Sequence, residues 1–463
     1  MTTSDRIPPV LNYNIAFKPH PIPVNEIDLL ITPRWLVPVD SNKSVLEGYG
    51  VAVHKDIILQ IGPASNLKAT YAPKQTVDLP DHALIPGLVN AHTHAAMTLF
   101  RGYADDLPLM EWLNQHIWPA ESRWVDEKFV RNGTDLACAE MIKSGTTCFN
   151  DMYFFPDVVA KRAEKAGMRA CIGMIVVDFP TVWAQTADEY INKGLDVRDS
   201  IRHSNLVTAA FAPHAPYTVS DQYLQKIATL SDELDCQVHI HLHETAHEIE
   251  ESMARFGMRP IERLDQIGLV GPRLVAVHMT QLLPGEIESL AERGIHIVYC
   301  PRSNLKLASG FCEVWKINQS GINIALGTDS ASSNNNLDMM SEMMTASLLA
   351  KGVSGSPTAM NAYSALEAAT MGGARALGLE EKIGSIEVGK QADLCAVDLS
   401  DIGSQPVYNP VSQIVYSASS RQVSDVWVAG QRLLKAGELT TLDEQQIKAD
   451  TLELGNRIKA GQR

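Results

Sequence analysis

The chain contains no C-x-x-C pair, and no apolar run comes near the ~18 residues a membrane span needs. Its seven cysteines (Cys138, Cys148, Cys171, Cys236, Cys300, Cys312 and Cys395) are scattered, several within apolar runs such as "TTCFNDM" and "RACIGMIVV". That pattern reads as free buried thiols in a reducing compartment, not as a disulfide framework or a cysteine-rich metal site. The opening "MTTSDRIPPVLNYN" lacks a basic segment followed by an apolar one, so no secretory signal is visible and a cytoplasmic location is expected. Positive charge is in short supply as well: 39 Lys and Arg face 54 Asp and Glu, a net charge of -15. Such a surface argues against nucleic acid or an anionic membrane as the main partner. Neither an internal repeat nor a low-complexity tract is present. What remains is ordinary globular material: 463 residues, 45% hydrophobic and 20% charged, enough for a large core and more than one domain.

From residue 84 onward, short apolar runs alternate with longer amphipathic stretches. Eight runs read as strands: "LIPGLVNAHTH", "GTTCFNDMY", "MRACIGMIVVD", "LVTAAFAPHAPY", "CQVHIHLHE", "LVAVHMT", "GIHIVYC" and "INIALGTDS". Between most of them lie helix-like segments such as "DEKFVRNGTDLACAEMIKSG", "PDVVAKRAEKAG" and "SDQYLQKIATLSDELD". Alternation of this kind implies parallel strands with crossover helices, and eight units over roughly 250 residues match a closed (β/α)8 TIM-like barrel. The flanks read as all-β: "IDLLITPRWLVPVD", "GVAVHKDIILQIG" and "TVDLPDHALIPG" before the barrel, "GSIEVGKQADLCAVDL" and "VSDVWVAGQRLLKAG" after it. We therefore expect residues 1–84 to form the N-terminal part of a small β-sandwich. Residues 85–383 would form the barrel, and 384–463 the rest of the sandwich plus a charged terminal helix at the surface.

Titratable residues stand where barrel enzymes build their sites, at the C-terminal ends of the strands. His92 and His94, two apart, project to the same side of a strand. The fourth run ends at His214, the fifth in "HIHLHE", the sixth at His278 and the eighth at Asp329. A buried, unpaired polar group costs on the order of 1–3 kcal/mol, so five polar strand ends falling there by accident is a poor account. A shared divalent metal and a polar substrate would satisfy them together, imidazole being the commonest ligand for such ions. The fifth run offers three same-facing histidines, His239, His241 and His243, and geometry alone does not choose between the last two. His239 would lie deeper in the barrel as a structural residue, while His243 could line the pocket.

"PGLVNAHTH", the strand-5 histidines before Glu244, the strand-6 histidine and "GTDS" resemble the amidohydrolase superfamily. Within it, "HTHAAMTLFRGYADDLPLMEWL", "FAPHAPY", "PRSNLKLASG" and "GTDSASSNNNLDM" are similar to the 5-methylthioadenosine/S-adenosylhomocysteine deaminase group, over roughly residues 27 to 435. The resemblance implies His92, His94, His241 and Asp329 as ligands to one divalent metal per subunit. Zn2+ is the expected ion, and Fe2+ suits the same ligands. A single metal is expected because "AFAPHAPY" has no lysine to bridge a second one. The resemblance further implies Glu244 as the acid that protonates a purine ring, His278 as the group orienting the attacking water, and Asp329 as its proton acceptor. Glu121 would grip ribose hydroxyls, and His214 would contact substrate, as would Glu244 and Asp329.

The implied activity is hydrolytic deamination of an adenine nucleoside, with release of ammonia. Family members that take S-adenosylhomocysteine hold its carboxylate with arginines after strand 3, yet Met174 to Tyr190, "MIVVDFPTVWAQTADEY", has neither Arg nor Lys. An uncharged 5′ tail is therefore expected, placing 5′-methylthioadenosine and adenosine ahead of S-adenosylhomocysteine. Two other readings compete: a related hydrolase of another nitrogen heterocycle (a guanine-type deaminase or aminotriazine hydrolase), and a non-catalytic scaffold, which would have lost its ligands. The expected partner is a small nucleoside, and the family's habit of assembly leaves room for a homo-oligomer. His20, His54, His82, His116, His203, His247 and His296 carry no functional expectation.

Overall fold

The structure, a computed structural model, describes residues 26–462. His20 and the opening segment read for a secretory signal lie outside the described residues. Eight parallel strands follow one another around a barrel: β1 (Leu88–Thr93), β2 (Thr146–Asp151), β3 (Arg169–Val176), β4 (Val207–Pro213), β5 (Val238–Leu242), β6 (Leu274–His278), β7 (His296–Tyr299) and β8 (Asn323–Leu326). Just past β8, Asp329 bridges in parallel to Thr93 and donates its N–H to the His92 carbonyl at 3.0 Å, which brings the eighth strand round to the first. Gly327 permits that approach, since a Cβ there would lie 2.8 Å from the Cβ of His92.

The barrel strands are almost wholly buried, and helices on the outside explain the continuous apolar runs. Local signals set the helix ends. Asp126 caps Glu127–Lys143 by accepting from Phe129 N–H at 2.8 Å, and Gly167 ends Pro156–Ala166 in the left-handed conformation at φ 78°.

The two flanks meet in one nine-stranded sheet. Its seam is antiparallel pairing of Ala72–Pro86 with Leu394–Asp398, Cys395 lying opposite Ile85. One face packs around Trp427, Ile31, Val51 and Leu84, while Ala83, Ile85, Cys395 and Val397 on the other belong to the barrel's own core. The run "LIPGLVNAHTH", expected as one strand, is divided: Leu84 to Pro86 end the sheet strand, and β1 starts at Leu88. Gly87 makes the break because a Cβ there would fall 2.1 Å from Thr147 Oγ1. The flanks also hold short helices, Ala64–Thr70 and Pro410–Tyr416, where only strands were expected. Leu67 of the first is buried with Ile27, Leu30 and Ala52. The terminal helix Glu444–Lys459 lies against Glu127–Lys143, with Lys143 Nζ 2.8 Å from Glu444. Among the described residues no helix is long and apolar enough to cross a membrane.

Candidate active site

His92, His94, His241 and Asp329 converge at the C-terminal mouth of the barrel, one ligand atom from each lying within 4.8 Å of the others. Asp329 Oδ1 is 3.2 Å from Nε2 of both His92 and His94, and His241 Nε2 is 3.1 Å from His92 Nε2. The second nitrogen of each imidazole is engaged elsewhere. His94 Nδ1 faces the Met152 carbonyl at 2.6 Å and His241 Nδ1 the His214 carbonyl at 2.8 Å. A carbonyl only accepts, so both Nδ1 atoms carry the proton and both Nε2 lone pairs point at their neighbours. His92 Nδ1 meets His239 Nε2 at 2.8 Å, which makes His239 the support beneath His92. Converging lone pairs and a carboxylate are unfavourable without a cation, and this donor set suits a divalent metal. The four residues form a metal-binding group.

Asp329 is aimed by two hydroxyls on its other oxygen, Ser303 at 2.6 Å and Ser333 at 2.8 Å to Oδ2. Backbone strain accompanies the strand ends: φ is 59° at Asp329 and 78° at His278, a region few non-glycine residues occupy. His278 stands apart from the metal-binding group. Its Nδ1 lies 3.0 Å from the Asn304 amide nitrogen, so the proton sits on Nε2, which is 3.8 Å from Glu244 Oε2. Burial holds His278 down to about 4, keeping it neutral at ordinary pH.

Burial, reinforced by the nearby Asp329 charge, pushes Glu244 up to about 8. A bound cation acts in the opposite direction. Ser309 Oγ reaches Glu244 Oε1 at 3.3 Å. The turn carrying Glu244 is held from beneath by Glu248, which accepts the N–H of His243 at 3.0 Å and of Glu244 at 2.7 Å.

Of these groups, His94, His241, Glu244, His278 and Asp329 line a cleft of about 580 Å³. His214 borders it, with Nδ1 3.1 Å from Thr218 Oγ1. Glu121, from the helix Trp118–Trp124, enters from the side and accepts from Tyr153 OH at 2.7 Å. Partial withdrawal from water pushes Glu121 up to about 7, against the pull of Tyr153 and His94. The mouth is apolar, with Trp118, Ile175, Val177, Phe179 and Val182 around it, and among the described residues no Lys or Arg lines it.

One expectation is corrected. His243 does not line the cleft: it is fully buried, and its Nε2 accepts the N–H of Ile261 at 3.1 Å, helping to start the helix Pro260–Ile267. The left-handed backbone at His243, φ 52°, turns it out of the alternation that a regular strand would impose. The supporting residues Tyr153, Glu248, Ser303, Asn304, Ser309 and Ser333 were not assigned from the sequence. Only Glu248 carries a local signal, the spacing Thr245-x-x-Glu248 of a capping box, and here the carboxylate reaches past the cap to the turn at His243 and Glu244.

Comparison with known proteins follows the same lines. The sequence profile of the amidohydrolase family matches residues 83–433. A 5-methylthioadenosine/S-adenosylhomocysteine deaminase of Teredinibacter turnerae is 50% identical over 434 residues, 94% of this chain and 98% of that protein. A 5′-deoxyadenosine deaminase of Methanothermobacter thermautotrophicus is 44% identical over 388 residues, 84% of this chain and 90% of that one. Among solved structures, an adenosine deaminase from Xanthomonas campestris with bound zinc superposes with a TM-score of 0.93 at 50% identity, covering 95% of this chain and all of its own.

Proposed function

Because this chain belongs to the amidohydrolase family, we propose that it is a metal-dependent deaminase of adenine nucleosides, with 5′-methylthioadenosine preferred over S-adenosylhomocysteine. Water replaces the 6-amino group, giving the inosine analogue and ammonia. The observation that carries this reading is a metal-binding group of three imidazoles and a carboxylate under a cleft that also holds a protonatable acid, Glu244. Zn2+ is the ion these nitrogen and oxygen ligands suit, as in the zinc-bound relative.

A divalent cation at this position supplies Lewis-acid activation of the attacking water. The protein's own groups do the rest. Asp329 accepts the proton that the water sheds as it adds to C6. Addition drives electron density onto ring N1, and Glu244, protonated in its buried setting, delivers its proton there. As the C6–N bond breaks, the proton held by Asp329 passes to the departing amine and the C6 hydroxyl returns a proton to Glu244, leaving the lactam and ammonia. His278, neutral with its Nε2–H facing Glu244, orients the nucleophile. Glu121 binds the ribose hydroxyls, and the apolar mouth receives the 5′ substituent. Seven buried, unpaired cysteines fit a cytoplasmic enzyme.

A mouth without cations favours the methylthio tail, since a zwitterionic amino-acid tail would lose hydration without gaining a partner. Ultraviolet assays of adenine-to-hypoxanthine conversion, with metal analysis on the same sample, test the assignment. We expect kcat/KM for 5′-methylthioadenosine to exceed that for S-adenosylhomocysteine by tenfold or more, roughly 1.4 kcal/mol. Equal turnover of the two overturns the preference. A metal-loaded preparation inert toward all adenine nucleosides but active on guanine or an aminotriazine overturns the activity itself.

A further inference from the structure

Glu121 reaches the cleft from a helix that contributes no metal ligand, so something must set its distance from the metal-binding group. The structure places one candidate between them. Immediately after β2, Met152 and Tyr153 face two ways along the chain: the Met152 carbonyl lies 2.6 Å from His94 Nδ1, and Tyr153 OH donates to Glu121 Oε1 at 2.7 Å. The segment is itself tied to the first strand, because the Met152 N–H donates to the Thr93 carbonyl at 3.0 Å. The Tyr153 ring packs edge-on near His94, with centroids 6.4 Å apart, and is only 4% exposed. Two adjacent residues thus fix a metal ligand and the cleft carboxylate against one frame.

Resting on the nucleoside reading above, we propose that Tyr153 is a positioning residue that sets the register between the sugar and the metal. It does so by holding one oxygen of Glu121 and aiming the other at the ribose diol. Oε1 of Glu121 accepts from Tyr153, while Oε2 has no hydrogen-bond partner among the described residues in a cleft the side chain lines. A cis-diol offers two O–H donors and needs an anionic acceptor held still. A carboxylate free to rotate would bind the same diol with the purine at varying depths, and C6 would meet the nucleophile less often. Tyr153 acts only through Glu121 and touches no reacting atom.

Tyr153→Phe keeps the ring and deletes the donor. Wild type, Y153F, E121Q and the double variant are compared on adenosine and on 2′,3′-dideoxyadenosine, with bound metal measured for each. We expect Y153F to lower kcat/KM for adenosine by roughly tenfold, mainly through kcat, since the diol is still bound but C6 is less often in place. Its rate on the dideoxynucleoside should stay within about twofold of wild type, with metal content unchanged. Added to E121Q, Y153F should cost no more than about a further twofold, because the hydroxyl has nothing left to orient. Equal losses on both nucleosides would mean that Tyr153 merely supports the fold, and the proposal fails. Additive losses with E121Q overturn it as well. A wild-type enzyme indifferent to the missing hydroxyls instead defeats the assignment of Glu121, and Tyr153 falls with it. Discrimination lost in E121Q yet kept in Y153F sinks the Tyr153 proposal alone.

Discussion

At the residue scale, the candidate site is a set of hydrogen bonds that decide which atom of each side chain is left over. Carbonyls behind His94 and His241 take the Nδ1 protons and free Nε2, while Asn304 behind His278 does the reverse. Chemically similar imidazoles therefore acquire different tasks. Glu244 is the clearest case of environment choosing a role, being buried, pushed up to about 8 and held by Ser309 and Glu248. Glu244→Gln keeps shape and hydrogen bonds to neighbours but cannot release a proton. We expect kcat to fall by roughly 10²–10⁴ with bound metal at the wild-type level. An active E244Q enzyme would remove Glu244 from the chemistry, and loss of metal would show it supports the ion instead. His92, His94, His214, His278 and Asp329 were singled out because each ends a recognisable strand, whereas strand alternation left His241 and His243 open and the family resemblance pointed to His241 and Glu244. The residues behind them were not legible: Ser303 becomes a partner of Asp329 only when the segment after the seventh strand meets the end of the eighth, and Ser333, four residues on, only through the local turn that follows Asp329. His243 misled because alternation assumes a regular strand, and the backbone leaves that conformation at that residue.

Whole elements support the site as well. The helix Met339–Ser354 carries Glu342, whose Oε1 accepts from Asn334 at 2.6 Å, and the same amide reaches the Thr328 carbonyl at 2.7 Å, one residue before Asp329. Glu342 is fully buried, and burial pushes it from an ordinary 4.5 up to about 8, against Asn334 and Arg302. The folded pKa thus lies above the unfolded one. Between these values the unfolded chain gives up a proton that the folded chain keeps, so stability falls as pH rises through that window. The slope approaches about 1.4 kcal/mol per pH unit and flattens near the upper value. Glu342→Gln lacks the proton, so its unfolding free energy should gain on wild type by a few kcal/mol between pH 5 and pH 8 in urea titrations. A difference independent of pH would mean that Glu342 is already ionised beside Arg302. All eight barrel strands and the helices Glu127–Lys143, Pro156–Ala166, Asp221–Leu234 and Glu444–Lys459 were readable from the alternation of apolar runs with amphipathic stretches, whereas Ala187–Ile201 and Met339–Ser354 were not singled out. Gly87 was not, because the need for a glycine there comes from Thr147, sixty residues away in the chain. The short helix Ala64–Thr70 was hidden for a similar reason, its one buried side chain being Leu67, packed with Ile27, Leu30 and Ala52.

The whole molecule joins its sheet to its barrel through a buried charge. Arg169 opens β3 at the end of the barrel opposite the cleft and is 2% exposed. Its Nε and Nη2 donate to Asp393 Oδ2 at 2.9 Å and Oδ1 at 3.0 Å, and Nη1 donates to the Asn205 carbonyl at 3.0 Å. Asp393 precedes the seam strand, accepts the Ala429 N–H at 2.8 Å on its carboxylate, and takes the Gly87 N–H at 2.9 Å on its carbonyl. Barrel, sheet and the turn between them therefore share one polar knot. Arg169→Met leaves Asp393 charged and enclosed, which should cost about 3–5 kcal/mol in urea unfolding of the metal-loaded enzyme. Adding Asp393→Asn removes the stranded charge yet retains an acceptor for Ala429, so R169M/D393N should be more stable than R169M alone. Because the knot lies far from the cleft, kcat/KM well below the melting range should stay within about twofold of wild type for both. If the double variant proves no more stable than the single, the cost arises from the lost guanidinium bonds to Asn205 and Gln391 and not from the unpaired carboxylate.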